Sequence, residues 1–166
     1  SVDSKLFDIF SENEFNNAKA TSKLFKQKDN KFHSLLFYKL NRFTTYDGVR
    51  VSWNPNDLNK QLIGVSGIKY FRNKIDECLE FRENIINNID ELLGNDAIKK
   101  NYGKNVHTYD KSGKSYYYEV SFNFIKGGMI RVHCTDWSEE FKNYWDALEV
   151  VIQTEKFTEI LSQNPY

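Results

Sequence analysis

The sequence predicts an α+β fold, and three patterns predict it. Apolar residues recur at three- and four-residue spacing from Ile68 to Leu92, the period of an amphipathic helix. From Tyr116 to Cys134 the period falls to two, as in strands with one wet face. Short turn signals separate these segments, and no Pro-rich or Ser/Gly-rich linker lies between them. The expected architecture has N-terminal helices and one long amphipathic helix packed on a four- to five-stranded antiparallel β-meander, then a short C-terminal helix. Residues 1–166 are expected to form one domain, with a helical half over about 1–102, the meander over about 104–154 and the last helix over 155–163.

Residues 3–28 and 31–42 carry Leu6, Phe10, Phe15, Leu24, Phe25, Phe32, Leu35, Leu36 and Leu40 and read as helices, although the run His33 to Leu40 also fits a buried strand. Gly48 to Trp53 sets Val49, Val51 and Trp53 against Arg50 and Ser52, as a half-buried strand does. The long helix is expected from Ile68 to about Leu93, with Ile75, Cys78, Ile85 and Ile89 on its apolar stripe and Arg82 in the one missing place. Ser66 would cap its start and Gly94 would end it in a left-handed conformation. A short strand, Asn105 to Tyr109, leads through the turn Asp110-Lys111-Ser112-Gly113 into a hairpin whose loop is Lys126-Gly127-Gly128. Leu148 to Thr154 adds a further strand, and Thr154 caps the helix Glu155 to Gln163 with Phe157, Ile160 and Leu161 as its stripe.

Pairing Ile125 with Met129 across the hairpin loop assigns the two faces. Phe124, Phe122 and Val120 then lie opposite Ile130, Val132 and Cys134 on the core face. On the polar face Asn123 meets Arg131, Ser121 meets His133, Glu119 meets Thr135 and Tyr117 meets Trp137, with Glu149 alongside from the next strand. His107, paired with Tyr116 when Tyr109 meets Lys114, falls on the core side, and a single β-bulge would reverse that placement. His33 reads as a structural histidine.

The chain of 166 residues has 23 Lys and Arg against 23 Asp and Glu, so no net field draws nucleic acid or an anionic membrane from a distance. No apolar run approaches the ~20 residues that span a bilayer, and the opening Ser1-Val2-Asp3-Ser4 lacks the pattern of a signal peptide, so no membrane partner is expected. The chain opens without Met, as a processed product or a domain cut from a longer protein does. Cys78 and Cys134 belong to no metal-ligand or redox motif and read as small buried hydrophobes, which favours a reducing, cytoplasmic setting.

No motif names a reaction. His133 with Glu119 and Arg131 is the one set suited to acid–base and anion-stabilising work, as in a small toxin-like or defence-associated nuclease. Asp136, Glu139, Glu140, Asp146 and Glu149 invite a cation but match no calcium loop, and Glu140-Phe141-Lys142 follows its strand rather than lying in it; neither metal nor cofactor is expected. Asp47-Gly48 and the Lys126 loop lack the spacing of a phosphate cradle. Lys23, Lys26, Lys28, Lys31, Lys39 and Arg42, interleaved with Phe25, Phe32, Phe37 and Tyr38, form the one patch suited to nucleic acid. The favoured expectation is a non-enzymatic protein-recognition domain using Tyr117, Arg131, Trp137, Tyr144 and Trp145, with another protein as partner. An immunity, inhibitor or accessory protein of a bacterial or phage conflict system is the form that expectation takes.

Overall fold

The computed structural model describes residues 4–22, 24–26, 31–141 and 144–163. It is α+β with antiparallel sheet, and it has eight strands among the described residues instead of four to five. They divide into two compact units, one of residues 1–67 with 151–166 and one of residues 68–150.

In the first unit, Ser11 starts α2 (Glu12–Thr21) through a reciprocal cap: its hydroxyl accepts from the Glu14 amide at 3.2 Å and the Glu14 carboxylate accepts from its amide at 2.8 Å. Before α2 comes only a single turn, α1 (Leu6–Ile9). The expected helix over residues 31–42 is instead β2 (His33–Tyr38), between the short β1 (Phe25–Lys26) and β3 (Gly48–Trp53). A six-residue apolar run is too short for periodicity to tell strand from helix. What decides it is the partner: the β-branched Val49-x-Val51-x-Trp53 strand pairs residue for residue, Leu35 with Val51 and Phe37 with Val49. Leu6, Phe10, Leu35, Phe37, Val51 and Leu62 close this core, with Phe10 stacked on Phe37 at 4.0 Å.

β4 (Leu62–Tyr70) occupies ground that the sequence assigns to the start of the long helix, so Ser66 is a buried strand residue and not a cap. Gly64 and Gly67 blank out the alternation that would have announced the strand. Gly64 is required because a Cβ there would stand 2.6 Å from the Phe157 ring of α4 (Glu155–Gln163), whose start Thr154 caps by accepting from the Phe157 amide at 3.2 Å.

In the second unit, Arg72 and Asn73 turn the chain with φ of 47° and 63°, and α3 runs over Ile75–Leu93, 19 residues, to the left-handed Gly94. Its Cys78, Arg82 and Ile86 are buried, with Ile75, Leu79, Ile85 and Ile89 flanking them. They pack on Val120 and Phe122 of β6 (Tyr116–Phe124), Val132 and Cys134 of β7 (Met129–Asp136) and Leu148 of β8 (Ala147–Gln153). The two cysteines are not free hydrophobes: Cys78 and Cys134 form a disulfide with their Cα atoms 6.2 Å apart.

β5 (Ala97–Val106) is longer than the expected Asn105 to Tyr109 and lies at the sheet edge beside β6. Its Lys99-Lys100-Asn101 stretch shows no alternation because almost every residue is exposed, as suits a strand that must not recruit another. A bulge between Asn101 and Gly103 shifts its register, with the Gly103 amide donating to Asn101 Oδ1 at 2.9 Å. Between β6 and β7 the register differs from the expected one by two residues: Asn123 pairs with Met129 and Glu119 with His133. The cause is a reversal of the same length placed one residue earlier, in which Gly127 donates to the Phe124 carbonyl and Phe124 to that of Gly128, both at 3.1 Å, leaving Ile125 outside the ladder. A shift of two preserves which residues share a face.

Cross-linking residues 56 apart stabilises chiefly by shortening the unfolded chain's reach. Replacing both cysteines with Ala should lower the unfolding free energy by about 4 kcal/mol in urea titration. Thiol titration of the denatured, unreduced protein should find none, and two reactive thiols would contradict the pairing. Ile86→Asp, which buries an unpaired charge under α3, should cost about 3–5 kcal/mol in the same titration.

Candidate functional site

The face of β6, β7 and β8 turned away from α3 carries a compact row of charge. Arg131 Nη1 lies 3.9 Å from Glu119 Oε2, and His133 Nε2 lies 3.7 Å from Glu149 Oε2. Glu119 stands directly opposite His133 in the ladder, so two carboxylates bracket one imidazole. Ser121 and Thr135, on the same face, are buried. The sequence-derived set Glu119, Arg131 and His133 is therefore brought together, with Glu149 added to it. Chemically the row offers an imidazole beside a carboxylate, and a guanidinium already held by another.

At one end of this face lies an aromatic cluster. The His107 ring sits 4.4 Å from Trp137 and 6.0 Å from Tyr117, and Trp137 also meets Tyr144 at 4.8 Å and Phe141 at 5.5 Å. Tyr109 closes the group, 6.4 Å from both Trp137 and Tyr144. His107 was expected on the core side; the ladder pairs Val106 with Tyr116 and the His107 amide with the Ser115 carbonyl, one residue from the expected pairing, and so turns the ring to the polar face. Tyr117 pairs with Thr135, and Trp137 lies just beyond the end of β7.

Two buried aspartates hold the loops that carry these rings. Asp110 accepts from the amides of Ser112 and Ser115, both at 2.8 Å, and from the Ser115 hydroxyl at 2.6 Å, which keeps its carboxyl far below the usual range. Asp146 accepts from the Trp137 amide at 3.0 Å, while burial pushes its carboxyl up. Tyr109 and Tyr144 consequently stand out from the surface on a fixed base, 61% and 45% exposed. Sequence reasoning named Tyr117, Trp137 and Tyr144 but missed His107, Tyr109 and Phe141, and the Asp110 turn was the available signal. Trp145 points elsewhere, against Tyr70 and Arg72.

The other candidates disperse. Asp136, Glu139, Glu140, Asp146 and Glu149 do not converge: Glu140 pairs with Lys114, Glu149 with His133, and Asp146 holds the Trp137 amide. Lys142, the last residue of the Glu-x-Lys reading, lies outside the described residues, as do Lys23 and Lys28 of the basic patch. Of that patch, Arg42 is committed to Glu14 and to the Ile9 carbonyl, and this guanidinium holds the Glu14 carboxyl down at about 2. Phe32 and Phe37 are core residues, which leaves exposed Lys26 and Lys39 and half-buried Lys31 with exposed Phe25 and Tyr38. His33 packs edge-on against Trp53 at 5.9 Å. Gly48 opens β3, and the Lys126 loop is the β6–β7 turn.

No family model matches the sequence, and no curated protein matches it. Among solved structures the chain is similar to the solution structure of cyanobacterial PsbP (CyanoP) from Synechocystis sp. PCC 6803. The identity is 8%, the match covers 85% of each chain, and the TM-score is 0.43. A likeness at this level says nothing of function.

Burial against Trp137 holds the His107 imidazole below its ordinary 6.5, with Asp110 opposing weakly. As pH falls through 6.5 the unfolded chain takes up a proton that the folded state resists, so stability is lost from there down toward the lowered folded value. His33 shifts in the same direction, so the comparison must be made against a variant. His107→Asn should show a smaller fall in melting temperature than the parent between about pH 7.5 and pH 5.5. Equal falls would place His107 in solvent.

Proposed function

We propose that the aromatic end of the polar sheet face is a protein-recognition surface and that the chain is a non-enzymatic binding module. The observation that carries this reading is the exposure of Tyr109 and Tyr144 on a base of Trp137, Phe141 and His107, held by buried Asp110 and Asp146. Exposed aromatics on a rigid support bury large area at little entropic cost, which is how interface anchors act. Tyr117 and Arg131 border this surface, and the partner class it supports is another protein. The narrower expectation, an immunity, inhibitor or accessory protein of a conflict system, rests on the sequence argument alone.

One observation favours a second reading, a nuclease. His133 engages Glu149 at 3.7 Å beside Glu119, as an oriented acid–base residue would. Against it, Arg131 is drawn toward Glu119, which reduces the charge available to a phosphate. Nucleic-acid binding keeps exposed Lys26 and Lys39, half-buried Lys31 and two exposed aromatics in its support. As for compartment, two unpaired cysteines would suit a cytoplasmic setting, whereas the Cys78–Cys134 disulfide supports an oxidising one.

Tyr109→Ala and Tyr144→Ala should each weaken capture of the partner by about 2 kcal/mol, roughly thirtyfold, while leaving the melting temperature near the parent's. His133→Ala should leave capture unchanged. If instead the parent cleaves RNA or DNA and His133→Ala abolishes turnover with binding intact, the nuclease reading replaces the module.

A further inference from the structure

Exposed Arg72 and Trp145, with half-buried Tyr70, form a second group in the same unit, and its charge is not used by any contact described above. The Phe71 amide donates to the Asp146 carbonyl at 2.8 Å and sets the two segments in register. Phe71 and Asp146 are both buried, while Arg72 and Trp145 beside them are exposed. There the Tyr70 and Trp145 rings meet edge to face at 5.5 Å, and the Arg72 guanidinium lies 4.7 Å over the Trp145 ring.

The backbone at this point is costly. Arg72 and Asn73 are successive non-glycine residues in the left-handed region, with φ of 47° and 63°. Asn tolerates that conformation, whereas Arg has no local side-chain bond to favour it. Strained backbone of this kind collects where a side chain must be presented in one direction. The charge is also unspent. Arg42, Arg82 and Arg131 each face a carboxylate, and among the described residues Arg72 faces only the indole. A guanidinium stacked by its face keeps the N–H fork at its edge, in the geometry that matches a carboxylate.

We propose that Arg72, stacked on Trp145, receives an Asp or Glu side chain of the protein partner; this rests on the reading of the unit as a recognition surface. A polyanion fits less well. Lys74 is already paired with Glu77 at 2.7 Å, and Asp76 stands in the same helical turn, so Arg72 is one cation beside carboxylates and not part of a basic stripe.

The test is an NMR titration of the full chain, following the Arg72 Nε–H resonance. The probes are a blocked peptide with two Glu residues among glycines, its Gln counterpart, inorganic phosphate and a duplex oligonucleotide. The Glu peptide should shift the resonance saturably, and the Gln peptide should bind about tenfold more weakly or not at all. Arg72→Gln should abolish the carboxylate preference, and Arg72→Lys, which keeps the charge but not the fork, should weaken it several-fold and stand in if the first variant fails to fold. Equal response to both peptides, a preference surviving Arg72→Gln, or a larger response to phosphate or oligonucleotide at equal concentration would overturn the proposal. Partner capture lost in Tyr109→Ala with no carboxylate response at Arg72 refutes this inference alone. A carboxylate response with capture unaffected by Tyr109→Ala refutes the aromatic surface alone.

Discussion

Cys78 of α3 and Cys134 of β7 are joined at the centre of the second unit's core, both fully buried, and this link ties one stripe of the helix to one face of the sheet. Val120, Phe122, Val132 and Leu148 are covered by that contact. Because strand residues alternate, their neighbours Glu119, Ser121, Arg131, His133 and Glu149 are placed on the other side together. The gathering of these residues on one face thus follows from the packing of the helix and needs no separate device.

What occupies that second face is internally compensated. Arg131 approaches Glu119, His133 approaches Glu149, and Ser121 and Thr135 on the same face are buried. The Glu119 carboxylate beside Arg131 weakens the field that an anion would meet there. The uncompensated features gather at one end, along the connection from β7 to β8: exposed rings at Tyr109 and Tyr144, and beside them the Arg72 guanidinium, stacked on Trp145 and facing no carboxylate among the described residues. The proposed recognition surface therefore sits beside the charged row and not on it.

Much of this was legible in the sequence, and the failures have physical causes. The faces of β6 and β7 were read correctly although the turn was not, because the error was two residues and strand parity repeats every two. At the Asp110 turn the error was one residue, and His107 changed sides. β5 was largely invisible because an exposed edge strand has no apolar period to read. α3 was started too early because Ile68 and Phe71 fall by chance on a helical spacing, while the glycines of β4 hide the strand that holds Ile68. The disulfide carries no spacing signal across 56 residues. Its trace was indirect: one cysteine on the helix stripe and one on the strand face that the stripe covers.

The central claim is that α3 covers one face of the sheet and leaves the other for recognition, and proton–proton contacts measured by NOE spectroscopy test it most directly. The His107 ring should show cross-peaks to the Trp137 indole and the Tyr117 ring, and the Val132 methyls should show them to residues of α3 near Cys78 and Ile86. Cross-peaks from His133 or Tyr117 to Cys78 or Ile86 would mean that the helix lies on the charged face, and the account would be wrong.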